Sequence, residues 1–334
     1  MKPIGGYFSL ELNDGRELHY SPLSKGEGQR IMFLRLNSGR YALEYILKAR
    51  NYRKVYIPYF ICDSVLQPIQ RQGVEYEFYH INEKLEPAIE LHPKDDEAIL
   101  YVNYFGLKNH YADTFCYIYS NTILDFTQAF YSYPPSVDSD THCDTFYSCR
   151  KYFGVPDGAY LYTDCFLDEE LPRDESFERM TFLTKRIDRS PQEGYADFHN
   201  NDKLLSTVGM KLMSKLTEAL MQSIDYTAKA NRRIRNFHIL DTTLRESNRF
   251  KWAIDNGTVP LVYPYYVENG AELRQYLIDH QVFCARYWPN VLEWCRPTDW
   301  EYQLAENLVC LPIDQRYDEE DMNQILEHIK KFYE

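Results

Sequence analysis

Between residues 38 and 163 the chain alternates between two hydrophobic periods. Tyr41, Leu43, Ile46 and Leu47 recur at helical spacing within Gly39 to Ala49, so a helix is predicted there. Lys54 to Ile57 is a short β-rich run stopped by Pro58, and Val74 to His80 is a second strand candidate. Between them Ser64 to Arg71 reads as a helix with Pro68 inside it. Ala98 to Val102 is apolar throughout, as a strand covered on both faces would be. Thr122 to Asp125 and Gly158 to Thr163 are further strands. Strands alternating with helices imply right-handed βαβ crossovers and a mainly parallel sheet.

The period changes after residue 200. Leu204, Leu205, Val208, Leu212, Met213, Leu216, Leu220 and Ile224 predict one long amphipathic helix, followed by a second over Ala228 to Arg245. The stretch 165–200, rich in charge and proline, reads as the longest loop. From residue 258 a smaller α+β unit is expected: strands at Pro260–Val267, Val282–Tyr287 and Leu308–Leu311, a helix over Ala271–His280, and a closing helix from Asp318 to Phe332. These patterns divide the chain into an N-terminal segment 1–34, a large α/β domain 35–245 and a small C-terminal domain 246–334.

Composition narrows the class. The 334 residues are 44% hydrophobic and 26% charged, which suits a globular chain with a large core. No apolar run approaches the length of a membrane span, and Met1 to Gly6 shows no apolar signal-peptide core, so a soluble, cytoplasmic protein is expected. A net charge of −13 disfavours nucleic acid and anionic membranes as partners, while a local basic pocket would still accept an anionic small molecule. The eight cysteines form no CxxC pair and suggest no zinc site; free, largely buried thiols are the simplest expectation.

Three motifs carry chemistry. Asn37-Ser38-Gly39-Arg40 opens a helix, and the free amides at a helix start suit a phosphate. The same pattern also serves as an ordinary N-cap, so alone it leaves both readings open. Asp125 ends a buried strand in Leu124-Asp125-Phe126-Thr127-Gln128-Ala129. A carboxylate there needs a partner, and open α/β sheets bind ligands at that end. A pyridinium nitrogen is one such partner; the start of the next helix is another. Lys151 lies between a short β-like run and the Gly154-Val155-Pro156-Asp157-Gly158 turn. A lysine beside a carbonyl cofactor forms an imine. Ser148 lies three residues before it and offers a hydroxyl to phosphate, whereas Arg150 faces either phosphate or solvent.

In this order the motifs resemble the DegT/DnrJ/EryC1/StrS sugar aminotransferases. Ser38-Gly39-Arg40-Tyr41-Ala42-Leu43 is similar to that family's phosphate-binding stretch, and Leu124 to Ala129 to its acidic motif. Val55 to Ser64, Leu100 to Gly106, Lys151 with Asp157 to Thr163, and Leu308 to Ile313 extend the likeness over roughly residues 35–330. The resemblance implies the fold type I architecture of pyridoxal-phosphate transferases: a mainly parallel sheet flanked by helices, plus a small α+β domain. It implies pyridoxal 5'-phosphate as cofactor, held by Lys151 and facing Asp125 across the ring, with Gln128 beside the ring. Lys151 and Asp125 are then the catalytic pair, and Ser38, Gly39, Arg40 and Ser148 are the phosphate candidates. It further implies glutamate as amino donor, a nucleotide-linked keto-sugar as acceptor, a role in surface polysaccharide or lipopolysaccharide synthesis, and a homodimer with shared active sites.

The sequence also departs from the family pattern. Cys62 stands where a bulky aromatic usually covers the ring, leaving Phe60 or Tyr104 to do so. The stretch that reaches the neighbouring subunit's phosphate is reduced to Met210 to Ser214, with Ser214 as a candidate replacement. No histidine follows Tyr287-Trp288-Pro289. Two other readings therefore stand beside transamination: a lyase or decarboxylase on the same fold, and a non-catalytic family member.

Overall fold

The computed structural model describes residues 12, 15, 17–19, 24–25, 29–136, 141–255 and 257–334. The expectation for Met1 to Gly6 lies outside the described residues. Strands β1 (Ser24–Lys25) and β2 (Gln29–Arg30) form a small antiparallel pair. Strand β3 (Met32–Leu36) leads into helix α1 (Gly39–Arg50), which buries Tyr41, Ala42, Leu43, Tyr45, Ile46 and Leu47. Next come β4 (Lys54–Pro58), α2 (Leu66–Arg71), β5 (Glu75–Tyr79), β6 (Glu97–Val102), α3 (Asn109–Ile118) and β7 (Asn121–Asp125). Strands β8 (His142–Ser148) and β9 (Ala159–Thr163) complete a seven-stranded sheet of order β3-β9-β8-β7-β6-β4-β5.

Strands β8, β7, β6, β4 and β5 run parallel, and β9 lies antiparallel between β8 and β3. Every residue of β6, β7 and β9 is buried, which is why Ala98 to Val102 of β6 reads as a continuous apolar run. Because β3 points the same way as the parallel set, the segments leaving β3, β4, β6, β7 and β8 all emerge on one edge of the sheet. The expected mainly parallel α/β sheet is therefore present.

Three expectations fail beyond the sheet. The stretch 165–200 is not one loop, for it holds α4 (Thr181–Asp188) and most of α5 (Pro191–Leu205), capped by Ser190. The continuous helix over 204–224 is broken, because α5 ends at Leu205 and α6 spans only Lys215–Gln222. Between them the backbone is claimed by pairing along β3. Asn37 N donates to Lys211 O at 3.0 Å, Met213 N to Arg35 O at 3.0 Å, and Leu212 N to Pro172 O at 2.9 Å. Apolar residues at helical spacing thus face the core from an extended segment.

Helix α7 (Tyr226–Leu244) leads to the C-terminal unit: β10 (Val262–Tyr266), α8 (Gly270–Asp279), α9 (Val291–Trp294), α10 (Trp300–Asn307), β11 (Leu308–Pro312) and α11 (Glu319–Tyr333). Strands β10 and β11 pair antiparallel. The expected strand at Val282–Tyr287 does not form; only Ala285 bridges to Cys310. Asp318 caps α11 reciprocally with Asp321, an arrangement that satisfies amides at both positions. Arg233 of α7 is 1% exposed and ties the C-terminal unit to the large sheet. It donates to Leu261 O and to Gln315 Oε1, each at 2.9 Å, and Gln315 donates to Tyr152 O at 2.7 Å. Among the described residues no helix is long and apolar enough to cross a membrane, and all eight cysteines are free.

Candidate active site

The site lies where the segments leave the C-terminal edge of the sheet. Asp125, the last residue of β7, is 6% exposed and accepts the amide of Thr127 at 2.8 Å on Oδ1. Lys151 closes a short 3-10 turn after β8 and donates from Nζ to Thr127 Oγ1 at 2.8 Å. Thr127 therefore holds both the carboxylate, through its backbone, and the amine, through its side chain. Sequence reasoning passed over it, although it stands inside the motif that carries Asp125.

Gln128 is fully buried. Its Oε1 accepts the Phe105 amide at 2.7 Å, while its Nε2 has no partner among the described residues. Phe105 (φ +59) and Gly106 (φ +72) both lie in the left-handed region. A side chain at position 106 would meet the Gln128 carbonyl at 2.9 Å, so the turn that brings this amide to Gln128 needs glycine there. The Gln128 carbonyl also accepts the Tyr152 hydroxyl at 2.6 Å, which anchors the residue after Lys151.

Ser38 is the N-cap of α1 and is 4% exposed, yet among the described residues its hydroxyl neither caps the helix nor finds any other partner. Gly39 approaches this group closely, since a Cβ there would lie 3.4 Å from Thr127 Cγ2. Ser148 ends β8 opposite Ala159, which itself pairs with Leu36, so Ser148 stands near the start of α1. Cys62 is half-buried. Burial pushes its thiol upward, against the lowering effect of Ser64 and of the Lys151 charge. Phe60 and Tyr104 are both fully buried, 5.6 Å apart between ring centres, with Phe60 also 4.9 Å from Trp288.

Arg40 and Arg150 bind the same carboxylate, Asp202 of α5. Arg150 thus faces an ion pair rather than open solvent. Nothing in the sequence marked Asp202, because a single Asp on a charged stretch carries no signal. Ser214 stands apart from the cluster. It caps α6, donates from its amide and its hydroxyl to the two oxygens of Asp157 at 2.8 Å each, and meets Ser176 Oγ at 2.6 Å. Its hydroxyl is spent inside the fold.

A phosphorylated pyridine aldehyde suits these residues. An orphaned buried hydroxyl and a helix start offer donors to phosphate, and two arginines add charge. A buried carboxylate stands ready for a ring nitrogen, and a lysine amine lies on the same threonine. Among the described residues no group of three or more His, Cys, Asp or Glu side chains could hold a metal ion.

No family model matches the chain, nor does any curated protein. Solved structures do. The aminotransferase TlmJ from Streptoalloteichus hindustanus superposes with a TM-score of 0.62 at 14% identity, over 90% of this chain and 85% of that one. A DegT DnrJ EryC1 StrS aminotransferase from Brucella abortus gives 0.57 at 17% identity, over 90% and 85%. The PLP form of the putative sugar aminotransferase Spr1654 from Streptococcus pneumoniae gives 0.56 at 15% identity, over 90% and 86%. Across nine-tenths of its length the chain has the fold of the DegT/DnrJ/EryC1/StrS sugar aminotransferases, at a sequence distance that makes it a divergent example of that fold.

Proposed function

We propose that this chain is a pyridoxal-phosphate-dependent aminotransferase that passes an amino group from glutamate to a nucleotide-linked keto-sugar used in surface polysaccharide or lipopolysaccharide synthesis. The observation that carries the reading is the pairing of Asp125 and Lys151 on Thr127, beside an unsatisfied Ser38 hydroxyl and the start of α1. Pyridoxal phosphate, when bound, supplies an aldehyde for amine exchange and a ring that accepts electron density.

The chain's own residues then divide the work. Lys151 Nζ would hold the cofactor through its amine and, once freed, would move a proton between the substrate carbon and the cofactor carbon as general base and acid, in one direction for the donor and in reverse for the acceptor. Thr127 Oγ1 holds that amine in place between these duties. Asp125, fixed by the Thr127 amide, would face the ring nitrogen and favour its protonated form. Gln128 sets the position of the 103–106 turn beside them. Ser38, the amides of Gly39 and Arg40, and Ser148 are assigned to the phosphate. A homodimer with shared sites and a cytoplasmic location complete the proposal.

The visible spectrum of the purified protein, with and without glutamate, tests it. Transamination predicts a yellow protein that loses its colour stoichiometrically as glutamate converts the cofactor to its amine form. A bound cofactor indifferent to glutamate would move the assignment to a lyase or decarboxylase. A protein that takes up no cofactor would leave a non-catalytic member.

A further inference from the structure

Arg40 and Arg150 share one carboxylate. Arg40 Nη2 lies 3.0 Å from Asp202 Oδ2, and Arg150 Nη1 lies 3.0 Å from Oδ1. The arginine side chains are 15% and 14% exposed, whereas that of Asp202 is 40% exposed. Two guanidinium groups share one hydrogen-bonded carboxylate, and Asp157 adds only a weaker coulombic pull on Arg150. The Nε atoms of both arginines are buried and have no partner among the described residues. The Asp202 oxygens are already engaged by the terminal nitrogens, so this carboxylate leaves both Nε–H groups without an acceptor.

An acceptor with more oxygens and more charge would answer this deficit. A phosphate monoester carries three free oxygens and close to two negative charges, and guanidinium forks match it well. The arginines belong to the right neighbourhood: Arg40 is the second residue of α1, two after the unsatisfied Ser38, and Arg150 directly precedes Lys151. We infer that Asp202 is an internal counter-ion that holds Arg40 and Arg150 in the absence of ligand and yields them to the phosphate group that enters at the start of α1. Asp202 is then a positioning residue that competes with phosphate, and the phosphate charge is met by arginines of the same chain. The inference rests on reading Lys151 as the cofactor lysine.

Competition gives opposite signs to the two kinds of substitution. Arg40→Gln and Arg150→Gln should each weaken binding of pyridoxal phosphate roughly tenfold or more, the effect of losing a charge-assisted contact, and leave binding of phosphate-free pyridoxal unchanged. Asp202→Asn should tighten pyridoxal phosphate severalfold, because a repelling charge is removed. The measurements are equilibrium titration of the apoprotein by tryptophan fluorescence and, with no aldehyde present, the thermal shift produced by inorganic phosphate, which should follow the same order. Arg40→Lys and Arg150→Lys retain charge without the fork and should fall between wild type and the glutamine variants, which keeps the test decisive if a glutamine variant does not fold. If Asp202→Asn weakened phosphate binding as the arginine variants do, or if the arginine variants left it unchanged, the inference would be overturned. If the wild type ignored both aldehydes but the inorganic-phosphate order held, the anion site would stand and the cofactor reading would fall.

Discussion

The amine of Lys151 ends on the hydroxyl of Thr127, 2.8 Å away, across 24 positions of sequence. The same threonine gives its amide to Asp125, so one residue fixes the relative placement of the two groups on which the chemistry depends. A valine at 127 would keep the backbone bond and lose the side-chain acceptor. Thr127→Val should therefore leave Asp125 in place and lower turnover by about tenfold, as expected for one lost hydrogen bond to a charged group, with little change in melting temperature. Comparing kcat with thermal unfolding separates the two effects, and an unfolded variant would contradict this placement.

Lys151→Ala removes the amine itself. Borohydride reduction followed by peptide mass spectrometry should fix a pyridoxyl label on Lys151 in the wild type and none at that peptide in the variant. Turnover should fall by roughly 10²–10⁴-fold, the usual contribution of a positioned base. A labelled peptide elsewhere in the wild type would reassign the site.

His19 links solution acidity to folding. Its Nε2 lies 2.6 Å from the Phe130 carbonyl and its Nδ1 lies 3.0 Å from the Tyr162 hydroxyl. Burial pushes the imidazole down from 6.5 to about 4, against the raising effect of the Phe130 carbonyl. The folded chain thus resists protonation that the unfolded chain accepts below 6.5. The stability from neutral His19 is present in full above pH 6.5 and is lost as pH falls toward 4, a change of about 3 kcal/mol. Denaturant unfolding across that window should show the decline, and His19→Gln should flatten it.

Asp157 is fully buried and accepts from the amide and hydroxyl of Ser214 and from the Thr217 hydroxyl. Asp157→Ala would strand these donors in a site closed to water. A loss of about 3 kcal/mol is expected, read as a lower urea midpoint with unchanged slope.

Much of this was legible where local pattern and burial agree. The strand Glu97–Val102 is covered on both faces, so its apolar run had one reading, and α1 shows its helical stripe plainly. The segment 204–224 misled for the opposite reason. Its leucines are spaced for a helix, but Leu212 bridges to both Leu36 and Arg173, a demand made by residues far away in sequence. Helix α4 went unseen because it is only eight residues long, buries none of them and lies in a stretch whose charge and proline read as loop. At the site, Ser38, Asp125, Gln128 and Lys151 were visible through their order along the chain. Thr127 and Asp202 were not singled out, since a threonine or an aspartate gains its meaning only from what the fold sets beside it.

Arg233 has a consequence for how the molecule comes apart. Its guanidinium sits over the Tyr152 ring at 4.6 Å while bonding the backbone at Leu261, and Gln315 joins the same knot. Tyr152 adjoins Lys151, so the turn that presents the amine is suspended in part from the carboxy-terminal third of the chain. Heating that loosens this third would unmoor the reactive lysine in the same event, making retention of ligand and integrity of the distal unit a single cooperative property.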